Sequence, residues 1–151
     1  MKYVVHEGTF AIIGCRGRKT KVIEEGRVLE FSCSWREILN ESCLQYGSSL
    51  QGRLDGSKYL LEKGYKTPIL ISDTKELIFF PLTNIQEAES IWISFSNIIK
   101  YSGNKDETTV YFKEGEGVSF PISNYVFDSQ FLKAYRLEKM VNFIHKNCGK
   151  M

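Results

Sequence analysis

A chain of 151 residues that is 42% hydrophobic and 13% aromatic has enough apolar surface for a folded core, which excludes an intrinsically disordered chain. No apolar run reaches the length of a membrane span, and the N-terminal MKYVVHEGTF lacks the apolar stretch of a secretory signal, so one cytoplasmic, membrane-free domain over residues 1–151 is expected. The net charge of +2 is unevenly spread: residues 1–72 carry eleven Lys/Arg against eight Asp/Glu, residues 73–116 four against eight, and residues 117–151 five against two. A basic start and end around an acidic middle permit one positive face, although solvated surface charge gives the same pattern.

The first elements read as strands. TFAII (9–13) is a short apolar run, and KVIEEGRVLEF (21–31) holds two β-rich pieces around Gly26. Between them CRGRKTK forms a loop with four positive charges in seven residues. The period then changes. In SWREILNESCLQYG, Ser34 and Glu37 have the spacing of a capping box, and Trp35, Ile38, Leu39, Cys43 and Tyr46 repeat at helical intervals. Gly47 stands where such a helix ends. Trp35 and Tyr46 are accordingly expected in the core.

Strands return with TPILIS (67–72) and ELIFFP (76–81), joined by Asp73-Thr74-Lys75. IWISFSNIIKYS (91–102), TTVYFK (108–113) and VSFPIS (118–123) follow across short turns. Short turns between successive strands imply antiparallel pairing, with Pro81 and Pro121 at strand ends or edges. A stripe of Phe127, Phe131, Ala134, Leu137, Val141 and Ile144 closes the chain as a helix. The expected fold is α+β: an antiparallel sheet or sheets, one inserted helix over about 34–46 and one C-terminal helix over about 124–146.

Enzyme signatures are missing. There is no GxSxG, P-loop, GxGxxG after a strand or HExxH, and nothing pairs a nucleophile with a base. Cys15, Cys33, Cys43 and Cys148 show no CxxC spacing, and His6 and His145 stand far apart, so neither a metal site nor a cofactor is expected and the thiols read as reduced.

Two stretches remain. In YGSSLQGRLDGSK, the Ser48 and Ser49 hydroxyls with nearby N–H groups form a cradle for an anionic oxygen, with Arg53 as a bidentate phosphate ligand and Lys58 as a point charge. The simpler alternative is that Gly47 ends one helix, Ser48 or Ser49 caps the next, and Arg53 is a surface side chain. In CRGRK, Arg16, Arg18 and Lys19 flank Gly17 and suit a narrow minor groove, or else decorate a solvated hairpin loop.

The ordered set Ser42-Cys43, Gly47-Ser48-Ser49, Gly52-Arg53, Lys66-Thr67-Pro68-Ile69, Phe80-Pro81, Trp92-Ile93-Ser94, Pro121-Ile122-Ser123, Phe127 and Gln130 resembles the ComK family of competence transcription factors. The resemblance implies a non-enzymatic activator of DNA-uptake genes. It would bind paired A/T-rich boxes of duplex DNA, largely through the minor groove, as a homodimer or higher multimer, and its level would be set by a proteolytic adaptor protein. It favours a functional role for the GSS segment, alone or together with capping, and adds Lys66 to the candidate DNA contacts Ser48, Ser49, Arg53 and Lys58. The CRGRK loop stands outside the family pattern, and Leu82 follows Pro81 where the family leads one to expect threonine. Two alternatives belong to other classes: a protein-interaction domain of the same fold that no longer binds DNA, and a small anion- or nucleotide-binding module.

Overall fold

The computed structural model describes residues 3–62, 64–113, 115 and 117–148. The strands are β1 (Thr9–Cys15), β2 (Lys19–Glu24), β3 (Arg27–Phe31), β4 (Ile69–Ser72), β5 (Leu77–Pro81), β6 (Ile91–Ser94), β7 (Ile98–Gly103), β8 (Thr108–Phe112) and β9 (Gly117–Phe120). The helices are α1 (Trp35–Gln45), α2 (Leu50–Leu61) and α3 (Asn124–Cys148). Six strands form one antiparallel sheet in the order β3-β2-β1-β6-β5-β4, and β7-β8-β9 form a second.

The six-stranded sheet is covered on both faces. Ile12, Val22, Ile71, Phe79 and Trp92 share a core with Trp35, Ile38, Leu39 and Cys43 of α1 and with Leu50 and Leu54 of α2. Ala11, Ile78, Phe80, Ile91 and Ile93 share another with Val110, Phe112 and Phe120 of the small sheet and with Phe127, Ala134 and Leu137 of α3. Residues next to each other in a strand point to opposite faces, so LIFFP and IWIS are buried at every position. Their uninterrupted apolar runs follow from that double burial. Each fully buried large side chain here contributes about 1.5–3 kcal/mol. Pro81 ends β5, and Pro121 follows the edge strand β9, both compatible with a missing N–H.

The structure corrects the expected elements in two places. IWISFSNIIKYS is not one strand: β6 lies in the large sheet and β7 in the small one. The break is at Asn97, whose buried amide donates to Glu7 O (2.9 Å), Thr9 O (3.2 Å) and Ser94 Oγ (2.9 Å). The second correction is α2, a helix where only one inserted helix was expected. Gly52 and Gly56 each cost a helix interior about 1 kcal/mol relative to alanine. Leu50 and Leu54 packed in one core, with Leu60 and Leu61 against the other, override that weak propensity.

No helix among the described residues is long and apolar enough to cross a membrane. Cys15, Cys33 and Cys43 are in no disulfide, and the side chain of Cys148 lies outside the described residues.

Candidate nucleic-acid interface

The GSS segment is first a junction between two helices. Gly47, at φ 89°, takes the left-handed conformation that ends α1. Its N–H donates to Leu44 O (3.1 Å), and the Ser48 N–H donates to Cys43 O (2.9 Å). This pair of bonds is a Schellman termination. Two residues on, the Ser49 Oγ accepts from the Gly52 N–H (3.0 Å) and caps α2. The Leu50 N–H is held by Asn40 Oδ1 (3.0 Å), which fastens the start of α2 to α1. The capping alternative is therefore realised. A Cβ at position 52 would lie 3.0 Å from Ser48 Oγ and 3.2 Å from Ser49 Oγ, so Gly52 leaves room for both hydroxyls beside the first turn of α2.

Arg53 does not join them at the junction. It is half-buried on α2 beside Cys43 of α1, and its Nε is shut off from solvent with no hydrogen-bond partner among the described residues. Burial pushes the Cys43 thiol up to about 11, with the Arg53 charge opposing. An unpartnered buried guanidinium nitrogen is costly, and a site where Arg53 receives an acceptor from outside the chain removes that cost.

Lys58 lies in the last turn of α2, and Lys66 lies in the α2–β4 connection that follows. A Cβ at Gly64 would lie 3.9 and 4.0 Å from the Cδ and Cε of Lys58. Lys66, at φ 49°, is half-buried, and burial lowers its ammonium below the ordinary lysine value. Neither lysine has an ion partner among the described residues.

The third group, Arg16, Arg18 and Lys19, sits in the tight β1–β2 turn, where Gly17 and Arg18 both have positive φ (76° and 54°). Here the charges are largely spoken for. Arg18 holds both carboxylate oxygens of Glu37, with Nε to Oε2 at 3.0 Å. Glu37 also accepts from the Ser34 N–H (2.7 Å) as the capping box of α1. The Arg18 guanidinium, aided by that backbone N–H, holds the Glu37 carboxyl at about 2. Arg16 pairs with Glu89 at 3.2 Å, though Arg16 is 88% exposed. Lys19 is exposed and has no ion partner among the described residues.

Among the described residues no group of three or more His, Cys, Asp or Glu is placed to hold a metal. His6 does have a partner, Glu24, at 2.8 Å, but the site is a buried carboxylate cluster rather than a base with its orienter. Burial raises the Glu24 pKa, and hydrogen bonds from Tyr3, Arg27 and His6 outweigh it, so the carboxyl is held below its ordinary value. The cluster ties the segment before β1 to β2 and β3. Leu82 is fully buried in the core that Phe80 and Phe127 share, which gives its place after Pro81 a packing role.

Three participants escaped the sequence reading: Glu37 as the partner of Arg18, and Gln130 and Lys133 as holders of the α2–β4 connection. Gln130 Nε2 donates to Lys66 O (2.7 Å) and Pro81 O (2.8 Å), and Lys133 Nζ donates to Tyr65 O (2.9 Å). The i, i+3 spacing of Gln130 and Lys133 on α3 was the available signal. It does not say which loop they reach.

Comparison with known proteins agrees with the resemblance. The family model described as ComK protein matches residues 1–145. The chain is similar to the competence transcription factor of Bacillus subtilis (strain 168), at 28% identity over 112 residues, 74% of this chain and 58% of that relative. It thus spans little more than half the length of that relative. No solved structure matches.

Proposed function

Because the chain belongs to the ComK family, which places it with a transcription factor rather than with enzymes, we propose that it is a DNA-binding activator of DNA-uptake genes acting at A/T-rich promoter boxes. Affinity comes from phosphate contacts by Lys58, Lys66 and Arg53, with the Ser48 and Ser49 hydroxyls beside the first turn of α2. Arg16, Arg18 and Lys19 enter or flank the minor groove, where width and deformability carry more information than the degenerate base edges. The observation that carries this reading is that two half-buried cations, Lys58 in the last turn of α2 and Lys66 in the connection after it, have no ion partner among the described residues.

Partners on this reading are duplex DNA, a second copy of the chain and a proteolytic adaptor protein. The outer face of α3 supports the second copy: Tyr135, Leu132 and Phe143 are exposed, Phe143 by 64%. Apolar side chains lined up in this way mark an association surface. The same face favours a second reading, a protein-interaction domain without DNA binding.

Fluorescence anisotropy with an A/T-box duplex and a G·C-rich control, over a salt series, separates the two. The activator reading expects tighter and salt-steep binding to the A/T duplex. Folded protein that binds neither duplex at low salt contradicts it and leaves the interaction domain.

A further inference from the structure

The α2–β4 connection is held by side chains of α3. Gln130 is buried, and a side-chain amide has two N–H donors. Both are used on backbone carbonyls, Lys66 O at 2.7 Å and Pro81 O at 2.8 Å. One turn later on the same helix, Lys133 donates to Tyr65 O at 2.9 Å and lies 6.0 Å from the centre of the Tyr65 ring. Two side chains of α3 thus hold two successive carbonyls of one connection. The result is a fixed left-handed backbone at Lys66, φ 49°, which a non-glycine residue seldom adopts unless its surroundings impose it. The stem of Lys58 runs beside Gly64 at the other end of the same connection.

Three lysines thus bear on one short stretch: Lys58 runs beside Gly64, Lys133 donates to Tyr65 O, and Lys66 stands in the stretch itself. Cations gathered around one stretch of backbone favour a polyanion. Holding them on a braced backbone removes ordering cost at the moment of binding.

We propose that this corner of α2, the connection and α3 is one phosphate-contact surface for duplex DNA, in which Gln130 is the positioning residue for Lys66 and Lys133 is a further contact. The proposal rests on the DNA-binding reading above and names where that binding is anchored. Burial lowers the Lys66 pKa, and an adjacent phosphate would act in the opposite direction.

The test is a salt series of anisotropy titrations with one A/T-rich duplex. It compares the unchanged protein with Lys66→Gln, Gln130→Met, the Lys66→Gln/Gln130→Met double variant and Lys133→Gln, each checked for folding by thermal melting. Lys66→Gln and Lys133→Gln are each expected to lower the slope of log K against log salt by about 1, the loss of one phosphate contact. Gln130→Met lowers it by a similar amount, and the double variant loses no more than the worse single one, because Gln130 acts through Lys66. A folded Gln130→Met protein with an unchanged slope, or a double variant whose losses add, overturns the positioning role. Lys133→Gln removes the charge while leaving a polar amide on α3, so it decides the matter if Gln130→Met does not fold: an unchanged slope overturns the surface. If the unchanged protein binds no duplex, the DNA-binding reading itself has failed and this proposal falls with it. Binding with unchanged variant slopes sinks the corner alone.

Discussion

The β1–β2 turn and the α2–β4 connection each place a cation in left-handed backbone, Arg18 at φ 54° and Lys66 at φ 49°, and they treat it in opposite ways. At the turn, the backbone is a tight hairpin and the charge is consumed: Arg18 grips Glu37, and Arg16 faces Glu89. At the connection, Lys66 has no ion partner among the described residues, and Gln130 and Lys133 hold the backbone. The difference shows that positive charge counted along a sequence is not charge on offer to a polyanion. CRGRK is the denser cluster, yet its two arginines arrive already paired.

Substitutions sharpen this contrast. The largest effect is expected at the footing of the turn. A Cβ at Gly14 would lie 2.1 Å from Ala88 O and 2.6 Å from Trp35 Cδ1, so Gly14→Ala must displace backbone. A loss of about 3 kcal/mol is expected in urea titrations, following the general cost of overpacking. A loss below about 1 kcal/mol would mean that Gly14 is not packed against Ala88 and Trp35 in this way. Next come the two caps, Ser34→Ala for α1 and Ser49→Ala for α2, each expected to cost about 1 kcal/mol. If Ser49 served only an anion, Ser49→Ala would leave stability unchanged and alter binding alone.

The smallest effect is the most specific. Glu37→Gln releases Arg18, so DNA affinity at low salt should rise by a few-fold and the salt slope steepen; unchanged binding would remove Arg18 from the interface. Acid does part of the same job. The Glu37 carboxyl sits at about 2 in the folded protein against an ordinary value of 4.5, because Arg18 and the Ser34 N–H favour its charged form. A lowered folded value contributes stability above the ordinary one and loses it as pH falls. The thermal midpoints of the unchanged protein and Glu37→Gln should therefore differ at neutral pH and converge between about pH 4.5 and 2. A difference constant across that window would contradict the pairing.

Local signals were legible and long-range ones were not. The capping box at Ser34 and Glu37 and the stripe from Trp35 to Cys43 located α1, and the stripe from Phe127 onward located α3. The Gly47 stop and a cap at Ser49 were readable as one of two alternatives, because both are decided within four residues. The helix α2 was legible only as the next helix of that capping alternative, because Gly52 and Gly56 weaken its signal and packing of Leu50 and Leu54 in the core is what forms it. The split between β6 and β7 was hidden because its cause, Asn97, reaches back 90 positions to Glu7. The same applies to the interface. Arg18 finds its carboxylate 19 positions away, and Gln130 finds Lys66 64 positions away. Charge and family pattern put Lys66 among the candidates, but only the fold shows that it is braced while Arg18 is neutralised.

The most direct test is a side-by-side salt series on an A/T-rich duplex for Lys66→Gln and Arg18→Gln. The account expects Lys66→Gln to lower the slope by about 1 and Arg18→Gln to lower it by clearly less, because one cation waits for phosphate and the other already has its carboxylate. An Arg18→Gln loss equal to or greater than that of Lys66→Gln would contradict the account and move the anchor of DNA binding to the β1–β2 turn.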